Sequence, residues 1–204
     1  MSDFWNQKYA GDDYFYGDAP NDFLRSQVFR LRPGARVLVV GDGEGRNGVW
    51  LASQGFDVTT VDFSEVGCEK SRALALQKNV SLTTHCADLL TWDWPVATFD
   101  AVVSVFLHFM PADRRMIHAK MQAALVPGGW LIIELFHPNQ LAYTSGGPKN
   151  REMLNTSAEL AGDFDALDWW LIAEGETRLE EGPGHAGMGF VSHAVGLKIS
   201  IIDI

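Results

Sequence analysis

Between residues 39 and 52 the chain reads VVGDGEGRNGVWLA, a stretch whose residue types and spacing suit a ligand-holding turn. Gly41, Gly43 and Gly45 alternate, so the backbone can bend sharply and approach a ligand with no side chain between them. From Gly43 the pattern is G-x-G-x-x-G, ending at Gly48, which is the dinucleotide fingerprint; from Gly41 it is G-x-G-x-G, a turn that serves another adenosine cofactor. Asp42 adds a carboxylate inside the turn, and Arg46 offers a cation to a carboxylate or an anionic substrate. Asp62 stands twenty residues after Asp42, where a carboxylate can accept from both hydroxyls of a ribose. Phe63 follows it and can lie against an adenine ring. Asp88, in CADLL, can accept from the adenine amino group, with the backbone of Leu89 facing ring nitrogens. His108, His137 and His185 are candidate proton acceptors, because imidazole titrates near neutrality. Tyr14, Phe136 and Tyr143 complete the candidate substrate-facing set.

These residues fall at the ends of alternating strand-like and helix-like stretches. ARVLVV reads as a fully apolar strand, and GRNGVWLASQG as a helix closed by Gly55. DVTTVD is a second strand, followed by the helix SEVGCEKSRALALQK with Ser64 as N-cap and Glu65 in its first turn. VSLTTHCAD and FDAVVSVF are the third and fourth strands. The helix PADRRMIHAKMQAAL starts at Pro111 and stops at Pro127-Gly128-Gly129, and WLIIELF is the fifth strand. A loop after Pro138 leads to a helix ending near Leu160. Residues 169–182 and 189–201 then read as a hairpin around GPGHAGMG. Continuously apolar strands alternating with helices predict a doubly wound, mostly parallel α/β sheet of seven strands, closed by an antiparallel C-terminal hairpin. Ligands in such sheets sit at the carboxyl ends of the strands, which is where Gly41–Gly45, Asp62, Asp88, Ser104–His108 and Phe136 fall.

Length and composition narrow the function classes. With 204 residues, 47% hydrophobic and 21% charged, the chain reads as one globular domain, residues 1–204. Its net charge of −10 and the lack of any Lys/Arg cluster argue against a nucleic-acid partner. No apolar run approaches a membrane span and no secretory signature opens the chain, so a cytoplasmic protein is expected. Cys68 and Cys86 lie in no metal-binding spacing and are expected to be reduced, and no metal is expected. No Tyr-x-x-x-Lys pair follows the fourth strand, which removes the usual catalytic acid of a short-chain nicotinamide enzyme.

VVGDGEGRN, VDFSEVG, CADLL, FDAVVSVFLHFMP and LVPGGWLIIELF, in that order, give the chain its resemblance to the class I S-adenosylmethionine-dependent methyltransferases. WNQKYAGDDYFYGDAPNDFL resembles the N-terminal cap, here residues 1–30, of the tellurite-resistance and thiopurine S-methyltransferase group. The resemblance implies S-adenosylmethionine as cofactor and S-adenosylhomocysteine as product. It places the glycine turn by the methionine portion, Asp62 by the ribose, Asp88 by the adenine and Ser104 near the methionine amino group. It departs from the pattern at Val39, where many of these enzymes carry an acid. The expected acceptor is a small thiol or reduced chalcogen, with His108 as the catalytic candidate and the protein a monomer or homodimer. A nicotinamide-dependent reductase and a non-catalytic cofactor-binding protein are the alternatives.

Overall fold

Burial of both faces along the central strands β1, β4 and β5 dictates the architecture. A computed structural model describes residues 2–199. Seven strands form one sheet in the order β3-β2-β1-β4-β5-β7-β6. They are β1 (Arg36–Val40), β2 (Asp57–Asp62), β3 (Thr83–Cys86), β4 (Phe99–Val105), β5 (Leu125–Phe136), β6 (Leu167–Glu181) and β7 (His185–Lys198). The first five run parallel, while β7 is antiparallel to both β5 and β6. Leu38, Val40, Val102 and Ile133 feed one core beneath Ile117 and Met121. Val37, Val39, Val103 and Ile132 feed the opposite core with Leu24 and Leu51. Strands that bury both faces have no room for polar alternation, which is why they read as continuous apolar runs.

The helices α3 (Arg46–Ser53), α4 (Glu65–Gln77) and α5 (Pro111–Ala124) connect the parallel strands, and α1 (Ser2–Tyr9) and α2 (Asp22–Gln27) precede them. Ser64 caps α4 as expected, accepting from the Gly67 N–H at 3.0 Å. Past β5, single 3-10 turns lead to α6 (Ser157–Gly162), whose Thr156–Glu159 capping box fixes its start.

Three boundaries differ from expectation. β3 is only Thr83–Cys86, because the residues before it make no ladder. Pro127-Gly128-Gly129 lies inside β5 as an irregularity: Leu125 pairs with Phe99, then Trp130 with Ala101. The closing turn is shorter, since Glu181 already pairs with His185. The end of the expected last strand, 200–201, lies outside the described residues. Among the described residues no helix is long and apolar enough to cross a membrane.

Candidate functional site

The carboxyl ends of β1 and β2 bring the glycine turn and Asp62 together. The Asp62 carboxylate accepts from the Gly43 N–H at 2.8 Å and, through its other oxygen, from the Ser64 N–H at 2.9 Å. Burial raises its pKa, and the N–H groups of Ser64, Gly43 and Phe63 limit the rise. Each of those oxygens keeps a second lone pair, so the pair can still accept from a diol. Gly43 has φ +56, and a Cβ there would lie 2.7 Å from the Tyr9 hydroxyl, so α1 reaches directly onto the turn. At Gly45, with φ +92, a Cβ would lie 2.7 Å from Ser71 Cα, so α4 packs against bare backbone. Gly41 donates to the Val61 carbonyl at 2.8 Å and packs against Leu107.

A buried polar network lies beside the turn. Arg46, the first residue of α3, pairs with Glu181 at the end of β6 at 2.9 Å, with only 8% and 10% of the two side chains exposed. Its Nη1 is buried with no hydrogen-bond partner among the described residues, and so is an orphaned donor. Asn21 bridges Glu134 and, at 2.9 Å, Glu181, while its backbone N–H donates to Asn47 at 2.9 Å. His193 meets Glu134 at 2.8 Å from the facing strand and stacks on Phe23. Burial alone would raise Glu181, yet His185, Arg46 and Asn21 together hold it down to about 2. Glu44, likewise buried, accepts from the Phe15 N–H at 2.7 Å and from Lys70 at 2.6 Å. Lys70 also gathers the carbonyls of Tyr9, Gly11 and Asp13 at 3.1, 2.8 and 2.8 Å.

An aromatic and imidazole cluster adjoins this network at the ends of β4 and β5. His185 lies 4.4 Å from Tyr16, 4.6 Å from Phe106 and 5.1 Å from Phe136, ring centre to ring centre. His108 stacks on Phe136 at 5.7 Å. Its Nδ1 lies 3.0 Å from the Met153 carbonyl; a carbonyl only accepts, so Nδ1 carries the hydrogen. Nε2 is therefore a lone-pair acceptor, and it is buried without a partner among the described residues. Burial pushes His108 down to about 4, against the opposing Met153 bond. Phe106, with φ +53, holds a backbone conformation disfavoured for a side chain of its size, at the strand end where ligands bind such sheets.

Several expected site residues take other roles. Asp42 turns into α3, where its carboxylate accepts from the Gly48 N–H at 3.1 Å, so it caps a helix; burial raises it to about 7. The Asp88 side chain is exposed and accepts from the Leu90 N–H at 2.9 Å, which closes its own turn. The Leu89 side chain is in the core and its carbonyl is taken by Trp94 at 2.9 Å. Phe136 is fully buried and forms the floor of the cluster. His137 has both ring nitrogens engaged, Nδ1 by the Asn139 N–H at 3.0 Å and Nε2 beside Glu174 at 3.2 Å. Tyr143 donates to Glu176 and lines a shallow cleft of about 380 Å³ with Pro138 and Phe190. His108 itself, far below neutrality, is not the near-neutral base expected of a histidine. Ser104 is buried in β4 between Val40 and Ile133, Phe63 is half-buried beside Asp62, and Tyr14 donates to the Lys70 carbonyl at 3.4 Å.

The network members Asn21, Glu134, Glu181 and His193, with Lys70, were not singled out from sequence. One signal was present: Glu134 is the lone charge inside WLIIELF. Among the described residues no group of three His, Cys, Asp or Glu could hold a metal ion.

Residues 37–129 match the family profile described as "Methyltransferase domain". The chain is 32% identical over 120 residues to "Probable thiol methyltransferase 2" of Arabidopsis thaliana, covering 57% of this chain and 51% of that protein. It is 39% identical over 68 residues to the thiopurine S-methyltransferase of Pseudomonas paraeruginosa, covering 32% and 31%. The matches thus span about half of the first of these curated relatives and under a third of the second. TehB from Haemophilus influenzae superposes with TM-score 0.73 at 19% identity, over 97% of this chain and 66% of that one. Magnesium protoporphyrin IX methyltransferase from Synechocystis, solved with bound S-adenosylhomocysteine, gives TM-score 0.68 at 17% identity, over 97% and 94%. At such identities the superpositions establish the shared fold.

Proposed function

We propose that the chain is a class I S-adenosylmethionine-dependent methyltransferase and that it moves the methyl group of that cofactor onto a small thiol or reduced chalcogen. The observation that carries the cofactor reading is Asp62, fixed by Gly43 and Ser64 with lone pairs left for a ribose diol. The orphaned Nη1 of Arg46 fits the cofactor's carboxylate, and the buried Glu134 and Glu181 favour its cationic centres. When bound, the cofactor supplies a sulfonium methyl already activated toward a nucleophile. The chain's own residues then bind, orient and exclude water.

The acceptor class rests on His108. A histidine with pKa near 4 is neutral at pH 7 and offers Nε2 as a hydrogen-bond acceptor, but it is a weak base. A thiol, with pKa of about 8.5, supplies thiolate without a strong base, whereas a hydroxyl does not. The thiol-acting relatives support the same class. Tyr9 against Gly43 and Tyr16 against His185 narrow the site, which supports a small acceptor.

Calorimetric titration with S-adenosylhomocysteine, and with NADPH as control, tests the cofactor. Small thiols, selenide, tellurite and amines, screened by S-adenosylhomocysteine release, test the acceptor; release from none of them leaves a binding protein. With the best thiol, His108→Ala should lower turnover by about tenfold or less, with an unchanged profile above pH 6. A loss in the general-base range of about 10² to 10⁴ would refute the thiolate reading.

A further inference from the structure

We propose that Cys68 and Cys86 form a redox pair that closes to a disulfide when a peroxide oxidises Cys86, and that closure weakens the cofactor site. Cys86 ends β3 and is the ladder partner of Asp62. The Thr60 and Thr84 hydroxyls, two pairs earlier on the same two strands, meet at 3.3 Å, so even-numbered side chains of β2 and β3 share one face. Helix α4 covers that face: Arg72 donates to the Thr84 carbonyl at 3.1 Å. Cys68, one turn before Arg72, points its Sγ into the β2–β3 junction, 3.5 Å from the Asp62 carbonyl and 3.8 Å from the carbonyl of His85, the neighbour of Cys86. Both thiols are free, Cys68 buried and Cys86 exposed. Burial raises the Cys68 thiol, and Cys86 is among the neighbours that raise it further.

This asymmetry assigns the roles. The accessible Cys86, as thiolate, attacks a peroxide oxygen; the O–O bond breaks and Cys86 becomes a sulfenic acid with loss of hydroxide, which is protonated. Cys68 then attacks the sulfenyl sulfur, an S–S bond forms, and hydroxide leaves with the thiol proton as water. Two thiols and one hydrogen peroxide give one disulfide and two waters.

The link to the cofactor site is mechanical and rests on the function proposed above. Cys68 lies in the first turn of α4, directly after Gly67, where a Cβ would sit 2.9 Å from the Gly43 carbonyl. Drawing Cys68 toward β3 moves Gly67 and Ser64, and with them the packing of α4 on Gly43 and one of the two N–H groups that fix Asp62.

The test treats the reduced full chain with a small excess of hydrogen peroxide. The expected result is loss of both thiols in the native monomer and linked peptides two hydrogens lighter than their sum, reversed by dithiothreitol. Cys86→Ser should protect Cys68, and Cys68→Ser should leave Cys86 to overoxidise. Affinity for S-adenosylhomocysteine should fall at least tenfold on oxidation and recover on reduction, with no fall in Cys86→Ser. Sulfinic acid at Cys86 beside an intact Cys68 thiol, or cross-links only between chains, would overturn the pair. Linkage with unchanged affinity would overturn the coupling. If the reduced protein binds no S-adenosylhomocysteine, the cofactor reading falls, while the mass measurement still decides the disulfide.

Discussion

Two aspartates at the ends of neighbouring strands have opposite tasks, and substitution separates them. Asp62 faces the turn with free lone pairs, so Asp62→Ala should weaken S-adenosylhomocysteine binding by about 2–3 kcal/mol, the value of hydrogen bonds to a charged group. Calorimetry would show it; a loss under about 0.5 kcal/mol would return Asp62 to turn-shaping alone. Asp42 caps α3 from full burial and carries a raised pKa, about 7 against an ordinary value of 3.8. Between those values the folded protein holds a proton the unfolded chain has released, so stability falls as pH rises from about 4 to 7. Asp42→Asn keeps an acceptor for Gly48 and carries no charge. It should therefore raise the melting temperature clearly at pH 8 and much less at pH 5. Equal gains at both pH values would contradict a raised Asp42. Both aspartates could be found by spacing alone, but their division of labour depends on which way each carboxylate turns.

At the scale of elements, close packing at the glycine turn can be told from backbone conformation by comparing two glycines at opposite ends of α3. Gly45 has φ +92 and Ser71 Cα within 2.7 Å of a would-be Cβ, whereas Gly55 has φ +86 and open space around it. Gly55→Ala should cost about 1 kcal/mol, from left-handed backbone alone. Gly45→Ala should cost about 3 kcal/mol, because overpacking adds about 1–3. Urea denaturation of both variants checks the difference; equal losses would mean α4 yields freely. The succession of strands and helices, the Ser64 cap and the glycine turn were legible in sequence, because each is written in neighbouring residues. The bonds Asn21–Glu134, Arg46–Glu181 and Asn21–Glu181 join residues 113, 135 and 160 positions apart, and no local pattern encodes such pairs. Tyr143 and His137 show a related limit: the sequence places the strand end, not the partners, Glu176 and Glu174, that each side chain takes beyond it.

Across the whole molecule, one ammonium gathers much of the N-terminal segment. Lys70 satisfies three carbonyls of residues 9–13 and the buried Glu44, and its charge lies 5.0 Å from the Tyr14 ring. Lys70→Met leaves Glu44, 3% exposed, without its ion partner, which should cost about 3–5 kcal/mol. Hydrogen exchange should quicken across residues 2–16, and cofactor affinity should fall because Tyr9 no longer rests on Gly43. Adding Glu44→Gln should recover part of the stability but not the protection of residues 2–16. Unchanged exchange would show that the other contacts, such as Trp5 on Tyr9 at 5.4 Å and the Ser64 hydroxyl on Asn6 at 2.7 Å, hold the segment without Lys70.

The pairing of Arg46 with Glu181 also sets an order of events during synthesis. On the ribosome, β1 and α3 can emerge and begin to pack long before Glu181 is made, 135 residues later. Until then Arg46 cannot be buried at tolerable cost, because an unpaired guanidinium resists leaving water. The nascent chain must therefore keep the start of α3 open, and the pocket stays unfinished until the β6–β7 hairpin is delivered. A growing chain stalled short of that hairpin would hold a sheet without a working site.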